Sequence, residues 1–487
     1  MIDNKKLTRA SSAGLVLALL AGCGHAPIAK PAFEGMAEKR AGLPTDWTMA
    51  SMTGDASAVL ADYSVFGDAQ LTSYIQESLE NNRTIRASLE SVRQSQAALK
   101  QVRSGLFPQV RAGVGVSSSS PVENFDLDGE LYSFNLNAAY DVDIMGDLSA
   151  SIQASSAGLR STEATYELAR RQLAAQVARA YFAVIEQQLQ LDLDKRSLER
   201  ARSTYKITET RSEAGAIARD ELVLGQSSLA SAEDSLLASE SSLRSATRAL
   251  EVLMGRFPKN QLSIAGALPT PPALPPLGLP ELTIRSRPDV VAAEYNLIQT
   301  FANNRVTHLS RWPQLDANLG LAALNGPQGT TTDLFNLEDL AFTIGLSLAQ
   351  TIFDGGAISG RIEASDAGKR AALERYGQTV IDAYAQIVNA IDAFSTLEAR
   401  TRSIQTASEA NLEVLRLGEL RYNEGSQNLL DLIQFRERAD AAESLLIANK
   451  RARLEQWIAL HQALGGDPTK AIPLPTTTAT TAEAKKK

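Results

Sequence analysis

Residues Glu209-Thr-Arg211-Ser-Glu-Ala-Gly215 and Glu419-Leu-Arg421-Tyr-Asn-Glu-Gly425 match without a gap at an offset of 210, and the match runs on through Leu222 and Leu432. Leu106-Phe-Pro108-Gln109 pairs in the same way with Arg311-Trp-Pro313-Gln314. A chain that repeats its own pattern over this length must fold as two similar units. The halves run over 71–255 and 281–465, joined through 256–280 by a proline-rich connector, Pro269-Thr-Pro-Pro-Ala-Leu-Pro275-Pro276, that cannot continue a helix. Each half reads helix, strand, strand, long helix, sharp turn, helix.

The helical stretches carry an apolar residue every seven. Leu222, Leu229, Leu236, Leu243 and Leu250 form one such series, and three places after each comes Gly225, Ala232, Ser239, Ala246 or Leu253. Val380, Tyr384, Ile387, Ile391 and Phe394, like Ile85, Leu89 and Val92, repeat at four and three. This period suits left-handed coiled-coil packing, with the small positions letting backbones approach. A plain soluble helical bundle would show the same stripe. Length separates the two, because the uninterrupted stretches over about 147–212 and 357–421 would each run roughly 100 Å at ~1.5 Å per residue. The flanking stretches 71–104 and 221–254 are each about half as long and could match the long helix if stacked end to end.

Between the first two helices of each half lie segments that alternate with period two. Phe134, Leu136, Ala138, Tyr140 and Val142 point one way while Ser133, Asn135, Asn137 and Asp141 point the other. Phe342, Ile344, Leu346 and Leu348 alternate with Thr343, Gly345 and Ser347, and Val110–Val116 and Leu315–Leu321 complete four strands, in hairpins over 109–142 and 314–350. One apolar and one polar face over about ten residues is what a membrane barrel strand requires. A soluble sheet packed on a helix is the alternative, but the helices here are already paired with one another. An open sheet of four strands cannot span a bilayer, because every backbone group in hydrocarbon must be paired, so the chain has to oligomerise. Two copies give eight strands, an interior that side chains fill, whereas three give twelve and a wider lumen.

The N-terminus supplies an address. Lys5, Lys6 and Arg9 precede an apolar run over 13–21 that is too short to cross a bilayer, and Leu20-Ala21-Gly22-Cys23 follows. Residues 1–22 therefore read as a lipoprotein signal peptide, with Cys23, the only cysteine of 487 residues, as the lipidated N-terminus of a 23–70 segment. Gly24 in the next place favours the outer membrane, and 466–487, ending in three lysines, reads as a disordered tail.

Composition excludes several chemistries. One cysteine rules out a disulfide framework, and His25, His308 and His461 are too scattered for a metal centre, so no metal or soluble cofactor is expected beyond the covalent lipid on Cys23. The net charge of -8 is spread over faces of mixed sign, which speaks against nucleic acid. There is no phosphate loop and no nucleophile elbow, so no enzymatic role and no nucleotide hydrolysis by this chain is expected.

Taken together, the lipobox, the Phe-Pro and Trp-Pro junctions, Arg287-Pro288-Asp289-Val290, Phe353-Asp354-Gly355-Gly356 and the paired tips resemble the TolC-like outer-membrane efflux proteins over residues 60–466. The resemblance is closer to their lipoprotein branch, which is OprM/NodT-like. It implies a mainly α fold with a membrane β part: a coiled-coil α-helical barrel, four strands per chain completing a 12-stranded barrel in a homotrimer, and an equatorial belt built from the N-terminal segment, the connector and the C-terminal end. It also implies a passive exit duct that docks a periplasmic adaptor and an inner-membrane pump, an RND-type proton-driven drug pump being favoured and type I secretion being the alternative.

The resemblance assigns adaptor contact to Arg211, Gly215, Arg219, Asp220 and Leu222 in the first tip and to Arg421, Tyr422, Gly425, Ser426 and Leu429 in the second. It assigns the periplasmic gate to Asp431 and Gln434, with Gln427 where a basic partner can stand. A non-conducting coiled-coil scaffold anchored by Cys23, and a periplasmic enzyme, are the competing functions. The scaffold has no need of four alternating strands, and the enzyme lacks a catalytic cluster.

Overall fold

The structure, a computed structural model, describes residues 63–118, 130–264, 266–272, 280–325 and 340–465. Cys23, Pro275, Pro276 and the C-terminal lysines lie outside the described residues. The helices α1 (Ala69–Asn81) and α2 (Arg83–Arg103) lead into β1 (Gln109–Ser118) and β2 (Glu130–Val142), followed by α3 (Asp147–Glu213) and α4 (Arg219–Leu253). The second half runs α5 (Pro280–Arg285), α6 (Pro288–Leu309), β3 (Gln314–Asn325), β4 (Leu340–Ala349), α7 (Ala357–Asn423) and α8 (Leu429–Ala463).

The single helix expected over 71–104 is in fact two. Asn82 leaves the helical conformation at ψ 127°, and its side-chain oxygen accepts from the backbone of Thr84 (2.9 Å) and Ile85 (3.3 Å). Its side-chain nitrogen donates to the Leu253 carbonyl at the end of α4 (2.9 Å). A side chain that offers the backbone an alternative partner interrupts a helix in this way. The second half breaks at the corresponding place, where Pro288 holds Arg287 extended and opens α6.

Both long helices have 67 residues and start alike. A glycine in the left-handed region, Gly146 (φ 82°) or Gly356 (φ 94°), turns the chain out of the strand. An aspartate a few residues upstream then accepts from the free amides of the first turn: Asp143 from Leu148 and Ser149, Asp354 from Gly356 and Ile358. Those amides hold the Asp354 carboxyl below its ordinary range.

Near the strands the helices stand in the order α2, α3, α6, α7; toward the tips the order is α4, α3, α8, α7. The period-seven residues face inward in both tiers. Ile85, Val92, Leu250, Val380, Ile387, Ile391 and Phe394 are buried, and Leu222, Leu229, Leu236 and Leu243 half-buried. Each such aliphatic side chain, once fully covered, contributes about 1.5–3 kcal/mol. Between the tiers an aromatic cluster closes the core, with Phe66 edge-on to Phe182 (5.2 Å) and Trp457 (4.8 Å), and Tyr181 edge-on to Tyr74 (6.1 Å).

The four strands form one antiparallel sheet in the order β1-β2-β3-β4. Its register aligns the apolar residues across all strands: Ala112, Leu136, Leu321 and Phe342 share one row, and Val110, Ala138, Leu319 and Ile344 the next.

Candidate functional site

Two surfaces stand out, a bare apolar sheet at one end and a pair of helical turns at the other. On the sheet, Ile344 is 67% exposed, Leu346 70% and Val114 73%, so the apolar face packs on no helix. A soluble sheet would bury that face. Both outer strands, β1 and β4, have a free edge, and free edges invite pairing with another chain. The helical tiers end in the same directions. Val223, Leu237 and Val252 are exposed on α4 at one edge, and Ile381, Leu412, Val414, Leu417 and Leu420 on α7 at the other. Among the described residues no helix is long and apolar enough to cross a membrane. Among the described residues it is the sheet that offers an apolar surface of that kind.

The two tips share one geometry. Gly215 (φ 69°) and Gly425 (φ 76°) follow the long helices. The amide of Gly215 donates to Ser212 (2.9 Å) and that of Ala216 to Arg211 (2.8 Å), while Gly425 donates to Tyr422 (3.0 Å) and Ser426 to Arg421 (2.9 Å). These are the paired bonds of a Schellman cap, which needs a residue at positive φ. A Cβ added at either glycine meets nothing within 4 Å, so these positions are bare backbone facing outward.

The remaining tip residues divide into a surface and its support. Arg219, Asp220, Arg421 and Ser426 are exposed. Tyr422 (2% exposed) and Leu429 (1%) are not: they lie in a small core with Leu415, Leu432, Ile433 and Ala439, which corrects their reading as contact residues. Their apolar bulk is what fastens the tips together. The Tyr422 hydroxyl is 3.1 Å from Thr208 Oγ1, and the Arg211 guanidinium lies over the Tyr422 ring at 4.9 Å and donates to the carbonyls of Tyr422 (3.3 Å) and Asn423 (3.4 Å). Leu222 is half-buried along the α3–α4 seam. The sequence reading missed Val223, Leu420 and Leu430, which are exposed and apolar close to the turns. Their signal was available, since all three fall outside the period-seven stripe that feeds the core.

Asp431 sits in the first turn of α8. Its amide is capped by Asn428 Oδ1 (2.8 Å), and its carboxylate accepts from the Gln427 side chain. A carboxylate there also meets the positive end of the helix dipole. Gln434, one turn on, is exposed. Above the tips the two repeats are joined across α3 and α8 by polar pairs, with Glu186 bonded to Arg451 (2.7 Å), Gln190 to Ser444 (2.8 Å) and Arg196 to Glu443 (2.6 Å). Burial pulls the Arg436 guanidinium down from its usual pKa against the opposing pull of Glu419. No group of side chains fit to hold a metal ion occurs among the described residues.

Known proteins share this architecture. The chain is 26% identical to the pyoverdine export outer membrane protein OpmQ of Pseudomonas aeruginosa over 466 residues, 92% of this chain and 94% of that one. It is 22% identical to nodulation protein T of Rhizobium leguminosarum bv. trifolii over 432 residues, 87% and 90% of the two chains. The solved outer-membrane channel OprN superposes with a TM-score of 0.77 at 23% identity, covering 87% of this chain and 97% of that chain. The family model described as outer membrane efflux protein matches residues 74–256 and 279–466, one match for each repeat, and the chain belongs to that family.

Proposed function

We propose that this protein is the outer-membrane exit duct of a tripartite export system. It works as a homotrimer anchored by lipid on Cys23, with its tips docked on a periplasmic adaptor that links it to an inner-membrane pump. The observation that carries this reading is the sheet, whose apolar face is bare and whose two edges are open. Three copies joined β4 to β1 give twelve strands, wide enough for a lumen, where two would give a filled barrel. The same rotation joins the α7 edge of one copy to the α2 and α4 edge of the next. A coiled-coil scaffold accounts for the helices but leaves the sheet without a role.

The duct hydrolyses nothing; the pump supplies the energy and chooses the cargo. With three histidines and six methionines in the whole sequence, too few for a Met- or His-rich lining, a proton-driven RND-type drug pump fits better than metal export. At the tips, Gly215 and Gly425 offer backbone that another helical hairpin can approach closely, flanked by Arg219, Asp220, Arg421 and Ser426. Asp431 and Gln434 belong to the gate, where three copies of Asp431 would converge and repel one another.

The test is in-cell crosslinking from a photoreactive residue at the exposed Ser426 position. Capture of a periplasmic adaptor supports the duct, and the pump encoded with it separates drug efflux from type I secretion. Capture of cell-wall material alone, from correctly inserted protein, overturns the tip assignment in favour of the scaffold.

A further inference from the structure

The lumenal face of the sheet carries its charge on two levels of opposite sign. Strand alternation places Arg111, Asn137, Gly320 and Thr343 in one row of the polar face, each paired with the next across the sheet. Two rows closer to the helices lies another, made of Asp141, Asp316 and Ser347. The row between them holds Gln109, Ala139, Asn318 and Gly345, and the row beyond Arg111 holds Gly113, Asn135, Ala322 and Ala341, so neither carries charge.

Neither charged level is neutralised in its own row. Among the described residues Arg111 donates to Gln109 Oε1 on its own strand (3.1 Å), and Asn137, Gly320 and Thr343 supply no acid. Asp141 and Asp316 stand directly opposite each other, within hydrogen-bonding reach. Like charges in that relation repel, so the arrangement costs the sheet stability, and with one proton shared by the pair each copy still places a negative charge at this level.

The separation decides whether the levels act singly or cancel. Four residues along a strand at ~3.4 Å each, tilted by about 40°, put them roughly 10 Å apart along the barrel axis. That is about one Debye length at physiological salt, so each level keeps its own potential. We propose that the barrel sorts what passes through it by charge on two levels, an acidic ring of Asp141 and Asp316 at the end facing the helices and a basic ring of Arg111 above it. This rests on the duct reading, which makes the polar face a lumen. A permeant with strong net charge of either sign is held back at one ring. Small, weakly charged or zwitterionic molecules meet the lowest barrier, and at the helix-facing end cations are concentrated over anions.

The experiment reads local potential in intact outer membranes and needs no open gate, because reagents reach the barrel from outside. Ser347→Cys reports the acidic level and Asn137→Cys, directly opposite Arg111, the basic one; the unsubstituted chain gives the background. Modification rates with a cationic and an anionic methanethiosulfonate are compared after scaling to a free thiol. The cationic reagent is expected to be favoured severalfold at Ser347→Cys and the anionic one at Asn137→Cys. Adding Asp141→Asn with Asp316→Asn removes the first preference and leaves the second, and Arg111→Gln does the reverse. Equal rates for both reagents at both positions, or preferences that ignore these substitutions, overturn the two-ring proposal. Leu319→Cys on the apolar face separates that failure from failure of the duct: if it reacts as fast as Asn137→Cys, the face is not in lipid and both readings fall.

Discussion

Ile344→Arg and Gly345→Arg put the same side chain at neighbouring positions of β4, and strand alternation sends the first into lipid and the second into the lumen. Ile344 lies mid-strand, opposite Leu319, in a row that is apolar across the sheet. An arginine facing lipid near the bilayer midplane of a barrel costs about 2–4 kcal/mol. Three copies in one oligomer multiply that to roughly 6–12 kcal/mol, the size of a whole domain's stability. At Gly345 a new Cβ meets nothing within 4 Å and the added charge remains in water, so the change there is about 1 kcal/mol or less. The assay is the yield of SDS-resistant oligomer in outer membranes, with urea titration of protein refolded into phospholipid vesicles. Ile344→Arg should abolish the oligomer, and Gly345→Arg should assemble close to wild type. Equal damage from the two, or greater damage from Gly345→Arg, refutes the assignment of faces and with it the membrane role of the sheet.

Four further outcomes follow from the same geometry. Gly215→Val with Gly425→Val forces branched side chains into positive φ at roughly 1–2 kcal/mol each and covers the bare backbone; export should be lost while oligomers persist, and retained drug resistance would remove the tips from docking. Arg287 is buried, paired with Asp289 (2.7 Å) and bonded to Gln386 and the Ala463 carbonyl (both 2.7 Å); Arg287→Ala strands those partners and should cost about 3–5 kcal/mol in urea unfolding, whereas a shift under 1 kcal/mol would show that the clamp carries no weight. Burial lowers His461 from 6.5 to about 4, so the unfolded chain takes up a proton that the native one refuses: the neutral ring's contribution is complete above pH 6.5 and is lost as pH falls toward 4, a loss of roughly 3 kcal/mol that His461→Gln should flatten in a urea series across that window. Asp431→Ala should raise resting conductance or antibiotic leakage, and an unchanged closed channel would count against its gate role.

The repeat, the helix periods and the strand alternation were legible because each is a property of neighbours along the chain. Schellman turns announce themselves through Gly215 and Gly425, and Asp143 and Asp354 mark the strand-to-helix junctions just as locally. What sequence could not deliver was three-dimensional accounting. The break at Asn82 depends on the Leu253 carbonyl, 171 residues away, being in reach of its side chain. Tyr422 and Leu429 lie in a turn full of polar residues and look exposed until the other tip, bringing Thr208 and Arg211, is packed over them. The rows that align Asp141 with Asp316 follow from the pairing of β2 with β3, strands from different repeats whose register no local motif sets.

Duplication also bears on how such a duct can close. In the proposed trimer the repeat would give near six-fold symmetry, and six equal hairpins around an axis have no reason to converge. A gate therefore needs the halves to differ, and they differ at the tips and elbows while keeping the same turn. At an offset of 210, Leu430 replaces Asp220, Gln434 replaces Leu224 and Tyr422 replaces Ser212, which gives the second tip a core and the first a charged surface. At the elbows the first half is tied to the end of α4 by the Asn82 hydrogen bond and a bidentate Arg256–Glu77 ion pair (both contacts 2.6 Å) that is partly exposed, the second to α8 and α7 by the buried Arg287 network. Gly255 and Gly465 admit both ties, since a Cβ at the first would lie 2.6 Å from the Asn81 carbonyl and at the second 2.8 Å from Arg287 Cγ. Two hairpins of equal length, one held at its root by a partly exposed ion pair that water and salt can loosen and the other by a buried guanidinium, would respond unequally to the same load at their tips, and in the proposed trimer that inequality would reduce six-fold symmetry to three.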